Sequence, residues 1–304
     1  MSFGTVGHHL KPFDGMLAES IMSKENAPPQ LSGMDYIVVN PLGNGAGSQV
    51  LLISDRATGQ RFALKIAKRD DEDDNPTKFI DQTRREFEAA QKLNHPVIVK
   101  IYDFAEKKGM LGLFKPVEGR LLMEYIKGKT VDEVEMPQLS QLVLIFIQVA
   151  SAMAHMHRRG VYHGDLKPSN IMLSDSGKVK LIDLGTCWIK GEKKNRIQGT
   201  PQYMAPEQMS DKVVNERTDV YNLGATMYRM FTGVVPGAGK KLKQPIDINK
   251  NIPGTLNDLI MKCLTSNPDH RPAGMFELRD QLSAVARHLG VSEADLKGAA
   301  SDSE

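Results

Sequence analysis

The chain has 304 residues, which is enough for one large domain or two modest ones. Its contents of 40% hydrophobic and 25% charged residues are those of an ordinary soluble globular protein. A formal net charge of +2 gives no overall attraction to nucleic acid or to an anionic membrane, so we expect neither as a partner. The two cysteines, Cys187 and Cys263, make neither a disulfide framework nor a metal cluster and favour a reducing, cytoplasmic location.

The two ends of the chain and its most apolar segment define what lies outside or inside the main domain. Residues 1–33 are mixed in composition, lack a signal-peptide pattern and are predicted to form a flexible arm. Residues 290–304 are small and polar, and we predict a disordered tail there. The longest apolar run, Leu142–Ala150, is far shorter than the ~20 residues of a membrane-spanning helix, so it predicts a buried core helix and no membrane insertion.

A strand and a glycine-rich hairpin are the first predicted elements. Tyr36-Ile-Val-Val-Asn40 predicts a strand, and Leu42-Gly-Asn-Gly-Ala-Gly-Ser-Gln-Val50 predicts a tight hairpin. Glycines at positions 43, 45 and 47 let backbone N–H groups approach a phosphate without side-chain clash. A glycine-rich turn alone is usually only a hairpin, and no Gly-Lys-Ser/Thr follows it as in a Walker-type loop.

A lysine strand and an amphipathic helix come next. Arg61-Phe-Ala-Leu-Lys65 alternates as a strand does, and a helix is predicted to begin near Pro76. The helix presents Phe79, Ile80, Thr83, Phe87, Ala90 and Leu93 at helical spacing. Glu86 lies on this helix, and it can pair with Lys65 only if the helix packs against the sheet, which we expect. Otherwise Glu86 is an ordinary surface glutamate.

Polar groups suited to phosphoryl transfer cluster in two later segments. His163-Gly-Asp-Leu-Lys-Pro-Ser-Asn170 provides a carboxylate, Asp165, that can accept a hydroxyl proton. The amide oxygen of Asn170 and the carboxylate of Asp183, in Leu181-Ile-Asp-Leu-Gly185, are hard oxygen ligands of the kind that hold Mg²⁺. Either fragment alone is compatible with a simple polar loop.

Together these segments resemble the protein-kinase family, in particular the bacterial, eukaryotic-like (Hanks-type) serine/threonine kinases. The resemblance implies an α+β, two-lobed kinase fold over residues 34–289. The small, strand-rich N-lobe would span residues 34–123, the hinge 124–128 and the mainly helical C-lobe 129–289, with ATP between the lobes.

The resemblance also implies a role for each site residue. Asp165, Lys167, Asn170, Lys65 and Glu86 would be the catalytic set, with Asn170 and Asp183 binding Mg²⁺, or Mn²⁺ as an alternative. Residues from four segments would surround ATP: Leu42, Gly43, Asn44, Gly45, Ala46, Gly47, Ser48 and Val50 in the hairpin, Ala63 and Lys65 in the next strand, Met123, Glu124 and Ile126 at the hinge, and Asp183.

Later motifs distinguish between kinds of kinase. Gly199-Thr-Pro-Gln-Tyr-Met-Ala-Pro-Glu207 resembles the peptide-docking segment of serine/threonine kinases, in which Thr200 would bond Asp165 and Lys167. The family also pairs the glutamate of this segment with an arginine, here Arg271, and braces the catalytic loop with an aspartate, here Asp219. These matches favour a serine/threonine protein kinase with protein substrates.

Two alternatives remain open. His163-Gly-Asp165 is also typical of the small-molecule kinases that phosphorylate aminoglycosides or choline. A non-catalytic nucleotide-binding scaffold is the other alternative, although every residue whose loss usually marks a pseudokinase is present. The sequence indicates neither the physiological substrate nor the oligomeric state.

The chain departs from the family pattern at positions that concern regulation. Ser48 replaces the third glycine of the hairpin, and Gly47 replaces the aromatic residue at its tip. Gly164 stands where kinases switched by phosphorylation carry an arginine that a loop phosphate neutralises. Between Asp183 and Glu207 the hydroxyl-bearing residues are Thr186, Thr200 and Tyr203, the last two in the docking segment. We therefore predict activity without phosphorylation of this loop.

Overall fold

The chain folds into a strand-rich N-lobe and a mainly helical C-lobe, as predicted. The computed structural model describes residues 28–45, 47–109, 116–135, 137–192, 197–211, 213–236 and 242–300. Within these residues the N-lobe contains five strands and one helix: β1 (Tyr36–Gly45), β2 (Ser48–Asp55), β3 (Arg61–Lys68), α1 (Lys78–Ala90), β4 (Ile101–Lys108) and β5 (Pro116–Glu124). The strands form one antiparallel sheet in the order β1-β2-β3-β5-β4.

The register of the sheet separates an apolar face from the face that carries Lys65. Side chains alternate between the two faces of a strand, and directly paired residues share a face. Ile53, Phe62, Leu64 and Leu122 form a buried cluster on one face. Lys65 pairs with Val50 and Leu121, so these three residues lie on the opposite face. Helix α1 packs against β3, β4 and β5.

The last residues of the predicted flexible arm are anchored to the sheet. The N–H of Leu31 donates to Oδ2 of Asp103 at 2.7 Å, and Leu31 and Met34 pack against the apolar cluster. The prediction of a flexible arm through residue 33 is therefore wrong for residues 28–33, because an apolar side chain there completes the cover of the cluster. Residues 1–27 lie outside the described residues.

The C-lobe contains the remaining elements and most of the core. Its strands are β6 (Gly128–Thr130), β7 (Val161–Tyr162), β8 (Ile171–Ser174), β9 (Val179–Leu181) and β10 (Trp188–Ile189). Its helices are α2 (Leu139–Arg158), α3 (Pro206–Ser210), α4 (Glu216–Thr232), α5 (Pro245–Ile248), α6 (Gly254–Cys263), α7 (Met275–His288) and α8 (Glu293–Ala300). Short 3-10 turns occupy Pro168–Asn170 and Pro268–His270.

Helix α2 is the buried core helix that the apolar run predicts. Within the described residues it is long and apolar enough to cross a membrane, but 72% of its most apolar window is buried inside the domain. It packs against α7, α8, α4, β7 and β9. Its apolar surface is therefore covered by protein, and its C-terminal end places β7 and the loop that follows.

The prediction of a disordered tail from residue 290 is wrong for residues 293–300. These residues form α8, which packs on α2 with Leu296 4% and Ala299 7% exposed. The hydroxyl of Ser292 accepts a hydrogen bond from the N–H of Asp295 at 3.1 Å and so caps the helix start. Composition favoured disorder, but two apolar residues three positions apart suffice for a helix that docks on an existing core. Residues 301–304 lie outside the described residues.

Candidate active site

Asp219 holds the backbone of the loop that carries Asp165. Its Oδ2 accepts from the N–H of His163 at 2.9 Å, and its Oδ1 accepts from the N–H of Gly164 at 2.8 Å. The ring nitrogen Nε2 of His157 lies 2.8 Å from the same Oδ2. Asp219 is fully buried in the first turn of α4, whose start is capped by the side chain of Asn215. The predicted brace is thus present.

Asp165 contacts both residues that the docking motif predicts. Its Oδ1 accepts from the N–H of Thr200 at 2.6 Å, and its Oδ2 lies 3.3 Å from Nζ of Lys167. The ammonium group of Lys167 also donates to the hydroxyl of Thr200 at 3.0 Å. A carboxylate, a cation and a threonine from the docking segment therefore meet at one point.

The two predicted metal-binding residues lie on adjacent ends of β8 and β9. The N–H of Ile182, beside Asp183, donates to the carbonyl of Asn170 at 2.8 Å. The side-chain amide nitrogen of Asn170 donates to the backbone carbonyl of Asp165 at 2.8 Å, which leaves its amide oxygen for a cation. Asp183 has φ +64°, and among the described residues no other non-glycine residue has positive φ. Such strain is typical of functional positions.

Lys65 joins the sheet, α1 and the C-lobe. Its Nζ lies 2.7 Å from Oε2 of Glu86, which is 1% exposed, and 3.6 Å from Oδ1 of Asp183. Burial lowers the pKa of an ammonium group, but the two carboxylates outweigh this and raise the pKa of Lys65 above its ordinary value. Burial likewise acts against ionisation of Asp183, yet the positive charge of Lys65 leaves its pKa lowered. Lys65 is therefore stabilised as a cation beside Asp183, one of the two predicted metal-binding residues.

Val50, Ala63 and Met123 are apolar residues on the face of the sheet that carries Lys65, and Met123 is next to the predicted hinge. Ala63 pairs with Met123 across β3 and β5, and Val50 lies on the same face one pair further along. Beyond Met123, the N–H of Glu124 donates to the carbonyl of Lys100 at 2.8 Å, so this N–H is not available to a purine base. A purine base at the hinge could therefore bond the backbone carbonyl oxygen of Glu124 but not its N–H.

The glycine-rich hairpin packs against helix α1 at Gly47. β1 and β2 stay paired up to Gly45 and Ser48, and Leu42 is 45% exposed. A Cβ atom built on Gly47 would collide with the ring of Phe79 on α1. Phe79 therefore occupies the space of an aromatic side chain at position 47. Sequence reasoning placed Phe79 only on the packed helix face and missed this contact. Ala46 lies outside the described residues.

Glu207 and Arg271 form the predicted ion pair with bidentate geometry. Two guanidinium nitrogens of Arg271 donate to the two carboxylate oxygens of Glu207 at 2.7 and 2.9 Å. Burial raises the pKa of a carboxyl group, but the hydrogen bonds from Arg271 outweigh it and leave the pKa of Glu207 lowered. The end of the docking segment is therefore fixed to the C-lobe.

Comparison with known families agrees with this geometry. The sequence pattern of the family described as protein kinase domain matches residues 36–282. The chain belongs to the protein kinase family. The match begins at β1 and ends in α7, so it includes both lobes and every site residue described above.

Curated bacterial serine/threonine kinases are among the relatives of this kinase domain. It is 32% identical over 280 residues to the serine/threonine-protein kinase PknB of Mycobacterium leprae, covering 85% of this chain and 44% of the relative. It is 30% identical over 253 residues to PrkC of Bacillus subtilis, covering 78% of this chain and 38% of the relative. A probable serine/threonine-protein kinase of Clostridium perfringens is 30% identical over 283 residues, covering 86% and 40%. The chain spans about two fifths of the length of these relatives.

Replacing Lys65 by Met should impair this kinase domain in two measurable ways. Glu86 would stay buried without its cationic partner, so we expect the free energy of unfolding to fall by about 3 kcal/mol. Loss of the cation from the site should lower kcat for phosphoryl transfer by about 100-fold. Lys68→Met is the matched control, because Lys68 is an exposed lysine on the same strand. Near-normal turnover by Lys65→Met would contradict the phosphate-anchoring role of Lys65.

Proposed function

We propose that this domain transfers the γ-phosphate of ATP to serine or threonine hydroxyl groups of protein substrates. The observation that carries the proposal is the contact of Asp165 and Lys167 with Thr200 at the start of the docking segment. It joins a candidate proton acceptor to the segment on which a substrate peptide would lie.

The donor atoms of Asn170 and Asp183 fit a divalent cation. The amide oxygen of Asn170 and the carboxylate of Asp183 are hard ligands. Asn170 is bonded to the backbone of Asp165, and Asp183 lies next to the ammonium group of Lys65. Bound Mg²⁺ would neutralise charge on the phosphates, with Mn²⁺ as an alternative. Asn170 and Asp183 would hold the cation, and Lys65, held by Glu86, would bind the phosphate oxygens.

Asp165 and Lys167 would act on the acceptor and on the group being transferred. Asp165 would accept a hydrogen bond, and then the proton, from the substrate hydroxyl. Lys167, 3.3 Å from Asp165, would balance the negative charge of the transferring phosphate. Because phosphoryl transfer depends mainly on position and charge, these few groups suffice for the reaction.

One experiment distinguishes this proposal from both alternatives. Labelled ATP with Mg²⁺ is offered to a basic protein acceptor and, separately, to aminoglycosides and choline, with Asp165→Asn as the blank. Label in protein supports the proposal, label in the small alcohols alone supports a small-molecule kinase, and no label supports a scaffold. The docking segment, fixed by Glu207 and Arg271, favours the protein acceptor.

We further propose a cytoplasmic location and protein partners without nucleic acid or membrane insertion. The net charge of +2 supports the absence of nucleic-acid and anionic-lipid partners. Cys187 and Cys263 are both buried and are not joined in a disulfide, which suits a reducing compartment. Fractionation of cells with an antibody to this domain tests the location.

Activity without loop phosphorylation is the expected regulatory behaviour. The hydroxyl of Thr186 donates to the backbone carbonyl of His163 at 3.4 Å. A phosphate on Thr186 would therefore face a carbonyl oxygen, and Gly164 has no positive charge to balance that phosphate. Protein treated with phosphatase should therefore transfer phosphate at its full rate without a lag, and its intact mass should show no phosphate. A phosphate at Thr186 that is required for activity would contradict this expectation.

A further inference from the structure

The side chain of Gln208 joins three segments around the catalytic loop. Gln208 is 2% exposed, and its Nε2 donates to the carbonyl of Gly164 at 2.6 Å and to the carbonyl of Gln198 at 2.8 Å. Its Oε1 accepts from Nδ2 of Asn222 on α4 at 3.3 Å. The same Asn222 nitrogen donates to the carbonyl of Tyr203 at 2.7 Å. We call the two bonds from Nε2 the Gln208 bridge.

Two glycines leave the room that the Gln208 bridge needs. Gly199 has φ +126°, and a Cβ atom there would lie 2.9 Å from both Nε2 of Gln208 and the carbonyl oxygen of Gly164. Gly164 has φ +72°, and its Cβ would lie 3.3 Å from the ring of Trp188. L-residues rarely adopt such φ values, so both positions favour glycine for conformational and for steric reasons. An arginine at position 164 would have to adopt a strained φ and would press on the ring of Trp188.

The Gln208 bridge holds the backbone on both sides of the bond between Thr200 and Asp165. Gly164 immediately precedes Asp165, and Gln198 lies two residues before Thr200, whose N–H donates to Asp165 at 2.6 Å. A shift of either backbone would lengthen that bond and turn the carboxylate away. Because the amide of Gln208 is neutral, its two bonds need no phosphate and no change of protonation.

We infer that Gln208 is the positioning residue that sets Asp165 against the docking segment in the unphosphorylated protein. The inference rests on the proposed kinase function and adds to it a structural reason for activity without a loop phosphate. Gln208 is buried behind the loop and acts through Asp165 and Thr200. Its loss should therefore slow phosphoryl transfer to protein and leave nucleotide binding, which depends on Lys65 and the sheet, intact.

The test compares Gln208→Met with Gln281→Met, the same substitution on α7 far from the site. Methionine matches glutamine in length but donates no hydrogen bond. For each protein, kcat is measured with a basic protein acceptor, the dissociation constant of ATP with Mg²⁺ by calorimetry, and folding by thermal melting. We expect Gln208→Met to lose at least tenfold in kcat with ATP affinity within twofold of the unchanged protein, and Gln281→Met to match the unchanged protein in both.

Other results would contradict either the role of Gln208 or the proposed kinase function. A folded Gln208→Met protein with unchanged kcat overturns the inference, and so does an equal loss of kcat and ATP affinity, because that would show general damage to the site. If Gln208→Met does not fold, Gln208→Leu replaces it, since it also removes both hydrogen bonds and buries no charge. If the unchanged protein labels no protein acceptor, the proposed kinase function fails, and that result is separate from the comparison of variants.

Discussion

Asp165→Asn should reduce kcat for protein phosphorylation by about 1,000-fold, the usual scale for loss of a general base. Asparagine keeps the size of the side chain and can still accept from the N–H of Thr200, but it cannot take a proton. Its amide would also lose the attraction to Lys167, 3.3 Å away. A loss of this size corresponds to about 4 kcal/mol in the activation free energy, at 1.36 kcal/mol per tenfold.

Nucleotide binding separates this chemical effect from a folding defect. Among the described residues Lys65 pairs with Glu86 and Asp183, and no hydrogen bond or ion pair joins it to Asp165, so the affinity for ATP with Mg²⁺ should stay within about twofold of the unchanged protein. Asp175→Asn is the matched control, because Asp175 is an exposed aspartate in the turn after β8. Single-turnover measurement then reports the transfer step itself. A rate within tenfold of the unchanged protein would mean that another group accepts the proton.

The candidate catalytic groups could be selected from the sequence because the proposed chemistry restricts the residue type. A proton acceptor, two hard oxygen ligands and a phosphate-binding cation have few side chains to choose from, and Asp165, Asn170, Asp183 and Lys65 occur in separate recognisable segments. The structure brings the four together as two pairs, through the Lys65–Asp183 ion pair and the hydrogen bond from Asn170 to the backbone of Asp165. Assignment of their roles in the reaction remains a proposal.

The positioning groups could not be predicted, because they bind backbone atoms. Gln208 recognises two carbonyl groups, and any residue at positions 164 and 198 presents such a carbonyl. Phe79 contacts the glycine loop through a packing arrangement that helical spacing does not specify. These contacts of Gln208 and Phe79 depend on how distant segments pack together, and a single sequence contains no pattern that specifies that packing.

The ends of the domain were mispredicted for a related reason. Leu31 with Met34, and Leu296 with Ala299, are the few apolar residues that dock in mainly polar segments, and composition alone favours disorder for such segments. Each finds an apolar surface already formed by the sheet or by α2. Docking then costs only the ordering of a few residues against a preformed core.

Arg271→Met should lower the free energy of unfolding by about 3–5 kcal/mol, as is typical when one member of a buried ion pair is removed. All five N–H donors of Arg271 are used. They donate to the carboxylate of Glu207 twice and to the carbonyls of Arg217, Thr265 and Ser266, at distances from 2.7 to 3.1 Å. Arg271→Lys should also be destabilising, since an ammonium group has three donors and no planar fork. For a domain of this size the melting temperature should fall by roughly 10 °C.

The pH dependence of stability provides an independent check on this pair. The folded-state pKa of Glu207 lies below its ordinary value of 4.5, so its stabilising contribution is present above about pH 4.5 and is lost as pH falls through the folded pKa. The difference in unfolding free energy between the unchanged protein and Glu207→Gln should therefore be constant near neutral pH and shrink below about pH 4.

Arg287→Met is the control for Arg271→Met, because the exposed pair of Arg287 and Glu293 should contribute less than about 1 kcal/mol. Equal losses from Arg271→Met and Arg287→Met would show that the buried pair does not hold the docking segment. The segment that presents Thr200 would then depend on the Gln208 bridge together with its bonds to Asp165, Lys167 and Asn222, and Gln208→Met should become the more destabilising change.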